Sequence, residues 1–283
     1  MPYLQPFDPW KSPLCTCPTK YSLNPYTGCG HRCLYCYATS FIKNFYHPRP
    51  KKEFLKIVEK ELKKIPERSL VSLSNSSDPY QPLEKTYELT RKFLELLLGG
   101  NYKLLIITKS DLVLRDRELL TKLRCAVSIT VTSKTLCQKL EPFAPGYEKR
   151  LQAIKALFEA GIPVSVRLDP IIPGLNEREI LEILDEIAPY VKHITVSTYK
   201  AKPDSLKRLM NAFPEKSPFW EKLYLKEGKK SGNAIYLKNE IRYKLIYPVY
   251  QKAKEYNLSF ATCREGLKDF ENPKKCDGSF LIS

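Results

Sequence analysis

Residues Lys103 to Val131 read KLLIITKSDLVLRDRELLTKLRCAVSITV. Two short runs of strand-forming residues, KLLIIT (Lys103–Thr108) and AVSITV (Ala126–Val131), flank a helical stretch at Arg115–Leu123. A strand, a helix and a strand at this separation make a crossover unit, the connection that parallel neighbours require. The same alternation extends outward. YSLNPY (Tyr21–Tyr26), SLVSLS (Ser69–Ser74), PVSVRL (Pro163–Leu168) and HITVST (His193–Thr198) read as further strands. Lys51–Ile65, Glu84–Leu98, Tyr147–Ala160 and Glu177–Ile187 carry apolar residues at helical spacing. Gly99–Gly100 and Gly161 stand where helices stop. Six strands with helical crossovers predict an α/β protein, a partial (β/α)6 barrel related to the eight-unit barrel. The competing arrangement is a doubly wound open sheet.

Outside this core the pattern loosens. Residues 1–20 are proline-rich and predict an ordered extension, residues 21–200 the barrel, and residues 201–283 a basic extension covering one end of it. With 43% hydrophobic residues among 283, the chain can fill a sizeable core. No apolar run approaches the roughly 20 residues of a membrane span. The opening MPYLQPFDPWKSPL lacks the apolar stretch of an export signal, so a cytoplasmic location is expected. The formal net charge of +16 is what a protein with a polyanionic partner would carry. Abundant Lys and Glu fit surface ion pairing in a heat-adapted protein equally well.

The chemistry is concentrated in TGCGHRCLYCYA (Thr27–Ala38), directly after the first strand. Cys29, Cys33 and Cys36 are separated by three and then two residues, so one short loop presents three thiolates. Cuboidal [4Fe–4S] clusters are normally held by four cysteines. A three-cysteine loop therefore leaves one iron open to an outside ligand. Zinc loops favour paired cysteine sets or added histidines, and here only His31 lies inside the loop.

With LNPYTGCGHRCLYCYA go SDPYQPLE (Ser77–Glu84), LTRKFLELL (Leu89–Leu97), TKSDLVLRD (Thr108–Asp116), SIT (Ser128–Thr130), LEPFAP (Leu140–Pro145) and DPIIPG (Asp169–Gly174). From Tyr21 to Thr198 the chain resembles the radical S-adenosylmethionine (SAM) superfamily, and within it the spore photoproduct lyase-like branch. The resemblance implies a partial barrel of the radical SAM type, with the open iron ligated by SAM. Reductive cleavage of SAM would yield a 5′-deoxyadenosyl radical that abstracts hydrogen from a substrate, fed by a low-potential electron donor. It further implies that Tyr35 and Tyr37 pack by SAM or assist hydrogen transfer. Ser76, Ser77 and Asp78 would meet the SAM amino group, and Lys109 and Ser128 its carboxylate and ribose. Arg167 would meet SAM or a substrate phosphate. The lyase has a cysteine hydrogen donor near the end of the second strand; here that segment reads SLSNSSDPY, with no cysteine. The resemblance thus supports the initiating step better than thymine-dimer repair.

Cys15 and Cys17 precede the barrel, and Cys263 and Cys276 follow it. If the two extensions meet at the open edge, four thiols could hold a second iron–sulfur cluster or a zinc ion. Ordinary buried thiols or a disulfide are the plainer reading. Cys125 and Cys137 sit among apolar residues as packing groups. The lysines of Lys51–Lys64 read as a solvated helix face. In the tail, Tyr243, Tyr247 and Tyr250 among lysines suit base stacking and phosphate contact, or a core at helical spacing. The expected substrate is nucleic acid, DNA carrying a lesion or RNA to be modified. A peptide or small metabolite is the alternative, as is a nucleic-acid-binding iron–sulfur protein without SAM turnover.

Overall fold

The computed structural model describes residues 2–7, 14–73, 75–267, 270 and 276–283; Ser74, the last residue of the expected SLVSLS strand, falls outside them. Its centre is one eight-stranded sheet: β1 (Gln5–Pro6), β2 (Tyr21–Leu23), β3 (Leu70–Leu73), β4 (Lys103–Thr108), β5 (Cys125–Val131), β6 (Val164–Ile171), β7 (His193–Thr198) and β8 (Ser259–Thr262). β1 runs antiparallel to β2; every other neighbouring pair is parallel. Strand order follows chain order without reversal. A doubly wound sheet needs a reversal point, so the arrangement is the curled, open barrel. β1 and β8 are its unpaired edges.

The parallel strands are buried on both faces: all seven residues of β5 and all six of β7 are buried, as continuous apolar runs require. The helices are α1 (Phe54–Leu62), α2 (Glu84–Tyr87), α3 (Leu89–Leu97), α4 (Arg117–Leu120), α5 (Tyr147–Glu159), α6 (Glu177–Ile187), α7 (Pro203–Ala212) and α8 (Asn239–Glu255), with further one-turn pieces between them. α6 buries Ile180, Ile183, Leu184 and Ile187 on one stripe. Each such side chain stabilises by about 1.5–3 kcal/mol. α1 buries Phe54, Val58 and Leu62 and leaves its lysines in solvent, as read from the sequence.

Three expectations change. The helix expected over Glu84–Leu98 is broken at Glu88, whose φ is +52°. The Glu84 carboxylate turns back to accept the N–H groups of Thr90 (3.0 Å) and Arg91 (3.2 Å), capping α3 afresh. The first expected strand ends at Leu23, because the Asn24 side chain accepts the N–H of Asn75, Ser76 and Ser77 instead of continuing a ladder. Finally, residues 201–283 are more than a cover: β8 pairs in parallel with β7, Phe260 opposite Ile194, and adds a seventh parallel strand. No described helix is long and apolar enough to cross a membrane.

Candidate active site

The cysteine loop leaves β2 and is clamped through its backbone. Gly28 has φ +83°, and a Cβ there would lie 2.4 Å from the Phe45 carbonyl oxygen, so this turn requires glycine. The Cys29 N–H donates to that same oxygen (2.8 Å). Gln81 brackets the loop, accepting from the Gly30 N–H (2.8 Å) and donating to the Gly28 carbonyl (3.0 Å). Tyr46 donates to the Cys33 carbonyl (2.7 Å), and Arg208 of α7 to the carbonyls of Leu34 (3.0 Å) and Cys36 (3.2 Å). All these contacts take main-chain atoms, and Cys29, Cys33 and Cys36 form no disulfide.

The three thiols line one cavity of about 570 Å³ at the carboxyl ends of the strands. Burial pushes the Cys29 thiol up to about 12 and raises Cys33 and Cys36 as well. Such thiols give up protons only to a metal that displaces them. Among the described residues no three His, Cys, Asp or Glu side chains surround a single ion. A cuboidal cluster asks for something else, three thiolates each meeting its own iron. Three unbridged thiols on one clamped loop fit that demand.

The tyrosines flanking Cys36 differ. Tyr35 is locked: its hydroxyl donates to Glu141 and lies 3.0 Å from Thr132 Oγ1, and Lys109 sits over its ring. Tyr37 is 42% exposed on the cavity wall and donates to the Asn75 carbonyl. Ser76, Ser77, Asp78, Lys109 and Arg167 also line the cavity. Asp78 is committed to the frame, accepting from Thr108 Oγ1 (2.6 Å) and the N–H groups of Lys109 (2.8 Å) and Tyr80 (2.9 Å). Burial pulls its carboxyl upward, but His31 and these donors hold it below the ordinary range. Ser77 donates to the Tyr26 carbonyl (3.0 Å). Arg167 donates to Asp169 (2.9 Å), which also accepts from Ser197 (2.5 Å).

Ser128 does not line the cavity. It is fully buried one pleat deeper than Thr130, which does. Glu141, from LEPFAP, is the centre the sequence reading missed. Fully buried, it takes Arg150, Lys109 (3.3 Å), Tyr35 and Thr132 (2.9 Å). The missed signal was a lone acid in an apolar segment. Lys202 and Arg264 also line the cavity. They escaped notice because β8, which delivers Arg264, is only four residues long.

The second cysteine set is partly gathered. Cys15, Cys17 and Cys263 line the same cavity, and Cys17 Sγ lies 3.6 Å from Cys276 Sγ. Cys125 and Cys137 are buried among other residues, consistent with packing. His47 is exposed, and His193 is buried against Ser259 and the Cys276 carbonyl.

A model of the radical SAM superfamily matches residues 23–187. An uncharacterized protein of Methanocaldococcus jannaschii is 35% identical over 192 residues, 66% of this chain and 71% of that one. One from Acidianus two-tailed virus is 32% identical over 222 residues, 72% of this chain and 73% of that one. Among solved structures, a spore photoproduct lyase variant with bound AdoMet and dinucleoside spore photoproduct superposes with a TM-score of 0.70 at 17% identity, over 86% of this chain and 75% of that one. SuiB of Streptococcus suis bound to its precursor peptide SuiA gives a TM-score of 0.57 at 16% identity, covering 85% of this chain and 48% of that one. At these identities the likeness is one of fold.

Proposed function

The chain belongs to the radical SAM superfamily and is an enzyme of that kind; from that premise we propose that its substrate is nucleic acid, damaged DNA or RNA undergoing modification. A [4Fe–4S] cluster on Cys29, Cys33 and Cys36 supplies, when bound, the electron for reductive cleavage of SAM to a hydrogen-abstracting radical. This chain's own residues do the rest. The clamped loop fixes the three thiols, and the cavity wall keeps bulk water from the reacting centre. Tyr37 and Ser76, both on the cavity wall, would meet SAM, and Arg167 is oriented by Asp169.

One observation carries the substrate assignment: among the described residues, neither of two cations on the cavity wall, Lys202 and Arg264, is held in an ion pair. Lys202 is 7% exposed, forms no ion pair among the described residues, and lies 4.5 Å over the Phe41 ring. The buried Nε of Arg264 has no hydrogen-bond partner, and the residue holds a left-handed backbone, φ +57°. Burial and the neighbouring Arg264 both push the Lys202 ammonium down. Two like charges held together beside an exposed aromatic ring suit a phosphodiester with its base stacked alongside.

The test is fluorescence anisotropy with a labelled single-stranded oligonucleotide across a salt series. A linear log–log salt dependence is expected, its slope reduced by about one to two charges in Lys202→Ala/Arg264→Ala. Binding that ignores salt, or SAM cleavage stimulated by peptides and not by oligonucleotides, overturns the assignment.

A further inference from the structure

We infer that Cys15, Cys17, Cys263 and Cys276 form a second metal site, a mononuclear tetrathiolate site for zinc that clasps the open edge of the barrel. The sheet leaves two edges unpaired, β1 beside β2 at one side and β8 at the other. Cys15 and Cys17 lie on the segment that leads into β2, and Cys263 directly follows β8. Cys17 and Cys276 are 259 residues apart in sequence, yet their sulfurs are 3.6 Å apart. Only the curl of the sheet brings these segments together.

That distance discriminates among the uses of paired thiols. A disulfide holds its sulfurs at about 2.05 Å. Zinc–thiolate bonds of about 2.3 Å in a tetrahedron place neighbouring sulfurs about 3.8 Å apart. In a [4Fe–4S] cluster each thiolate sits on its own iron, which spreads the sulfurs well beyond that, whereas the paired thiolates of a [2Fe–2S] cluster would come with inorganic sulfide, which sulfide analysis detects. The Cys17–Cys276 spacing is thus close to one edge of a zinc tetrahedron.

The other two thiols stand nearby. Cys15 is hydrogen-bonded to Cys17 and in electrostatic contact with Cys263 and Cys276. Cys263 is hydrogen-bonded to Arg167. Among the described residues no three such side chains are spaced to hold an ion, so the site closes only if the Cys15 and Cys263 side chains turn inward. The frame that would receive them is fixed. Thr195 Oγ1 donates to the Cys276 carbonyl (2.8 Å), and the next residue, Asp277, accepts from the buried Lys20 (2.6 Å). Four thiolates around a divalent ion carry two excess negative charges. Lys20, in electrostatic contact with Cys17 and Cys276, and Arg167, beside Cys263, are the cations that offset them.

The test needs neither SAM nor nucleic acid, so its result is separable from the substrate assignment. The full chain with Cys29→Ala/Cys33→Ala/Cys36→Ala, which lacks the first cluster's ligands, is purified without oxygen and its metals are measured by mass spectrometry. About one zinc per chain is expected. In the same sample Cys15, Cys17, Cys263 and Cys276 should resist alkylation until a chelator strips the zinc, then all react. In Cys17→Ala/Cys276→Ala the zinc should vanish while loop-bound iron remains, which also reports that the fold survives. A triple variant without zinc, with iron and sulfide in its place, or with a Cys17–Cys276 disulfide in peptide mapping overturns the inference. So does immediate alkylation of the four thiols.

Discussion

Replacing Glu141 by glutamine tests whether the site is built around that carboxylate. Glu141 and Arg150 are both 0% exposed and ion-paired, with Lys109 a second cation 3.3 Å away. Burial pulls the Glu141 carboxyl upward, yet Arg150 and Lys109 outweigh it and hold it well below the ordinary carboxylate range. Glutamine keeps the shape and one acceptor but removes the charge, leaving the Arg150 guanidinium buried without an anion. Removing one member of a buried pair costs about 3–5 kcal/mol. Arg150 retains the carbonyls of Pro145 (2.9 Å) and Thr130 (3.0 Å), so the lower end, about 3 kcal/mol, is expected. At about 2–4 °C per kcal/mol for a chain of this size class, Tm should fall by about 6–12 °C. The pH dependence follows from the lowered carboxyl. Its contribution is complete above the unfolded carboxyl's ordinary value of 4.5 and fades as pH falls toward the native one. The Tm gap between native and Glu141→Gln protein should therefore stay constant from about pH 8 to 5 and narrow below about 4.5. Scanning calorimetry across that range is the assay. A gap under about 2 °C at pH 7, or one that widens in acid, would refute the assignment of Glu141 as the charge that balances Arg150 and Lys109.

Three further outcomes are expected. Cys33→Ala should abolish cluster loading and with it 5′-deoxyadenosine formation in an anaerobic assay with dithionite, while the circular dichroism of the sheet is unchanged; product formation by this variant would disprove the loop's role. Gly28→Ala places a Cβ 2.4 Å from the Phe45 oxygen at φ +83°; the strain of about 1–3 kcal/mol should fall on the loop, so iron content drops more than global Tm does. Burial holds the His193 imidazole down to about 4. Because the unfolded chain then takes up this proton first, stability should fall between about pH 6.5 and 4, by about 3 kcal/mol in all. His193→Asn should flatten that slope in urea titrations, and an unchanged slope would place the acid sensitivity elsewhere.

Much of this architecture was legible because local and global preferences agree. The runs that became β4, β5 and β7 are strand-formers bounded by turn signals, and the parallel crossover followed from their spacing. Of the C-terminal tyrosines, Tyr250 packs on Phe260 and Phe270, as a core reading would have it. Tyr243 and Tyr247 stack on each other half-exposed. The illegible parts are those set by single long-range contacts. Nothing local announces that Glu84 will cap α3 and break one helix into two. β8 is four residues long and is preceded by α8, where tyrosines and lysines dilute the inward stripe of Ile246, Val249 and Ala253. Missing that strand hid Arg264.

The net charge of +16 says less about the substrate than the placement of a few charges inside the cavity. Surface lysines attract any polyanion and are screened within about a Debye length. Around the cavity the acids are matched: Asp78 with Thr108 Oγ1 and two N–H groups, Asp169 with Arg167, Asp277 with Lys20 (2.6 Å), and Glu265 with Lys200 (2.7 Å) and Arg242 (3.0 Å). Asp204, the acid nearest Lys202 along the chain, is taken by Thr39, Ser40 and Arg208. Among the described residues Lys202 and Arg264 are in no ion pair; Arg264 repels the Lys202 ammonium, Asp204 only partly offsets this, and burial adds the cost of leaving water. A fold does not keep such a pair for stability, since replacing either cation with a neutral residue would relieve both penalties. On the proposed function, an anion arriving with the substrate would account for their retention, so Lys202→Met should raise Tm slightly while weakening oligonucleotide binding. A variant that lost stability as well as affinity would show that the pair serves the frame instead.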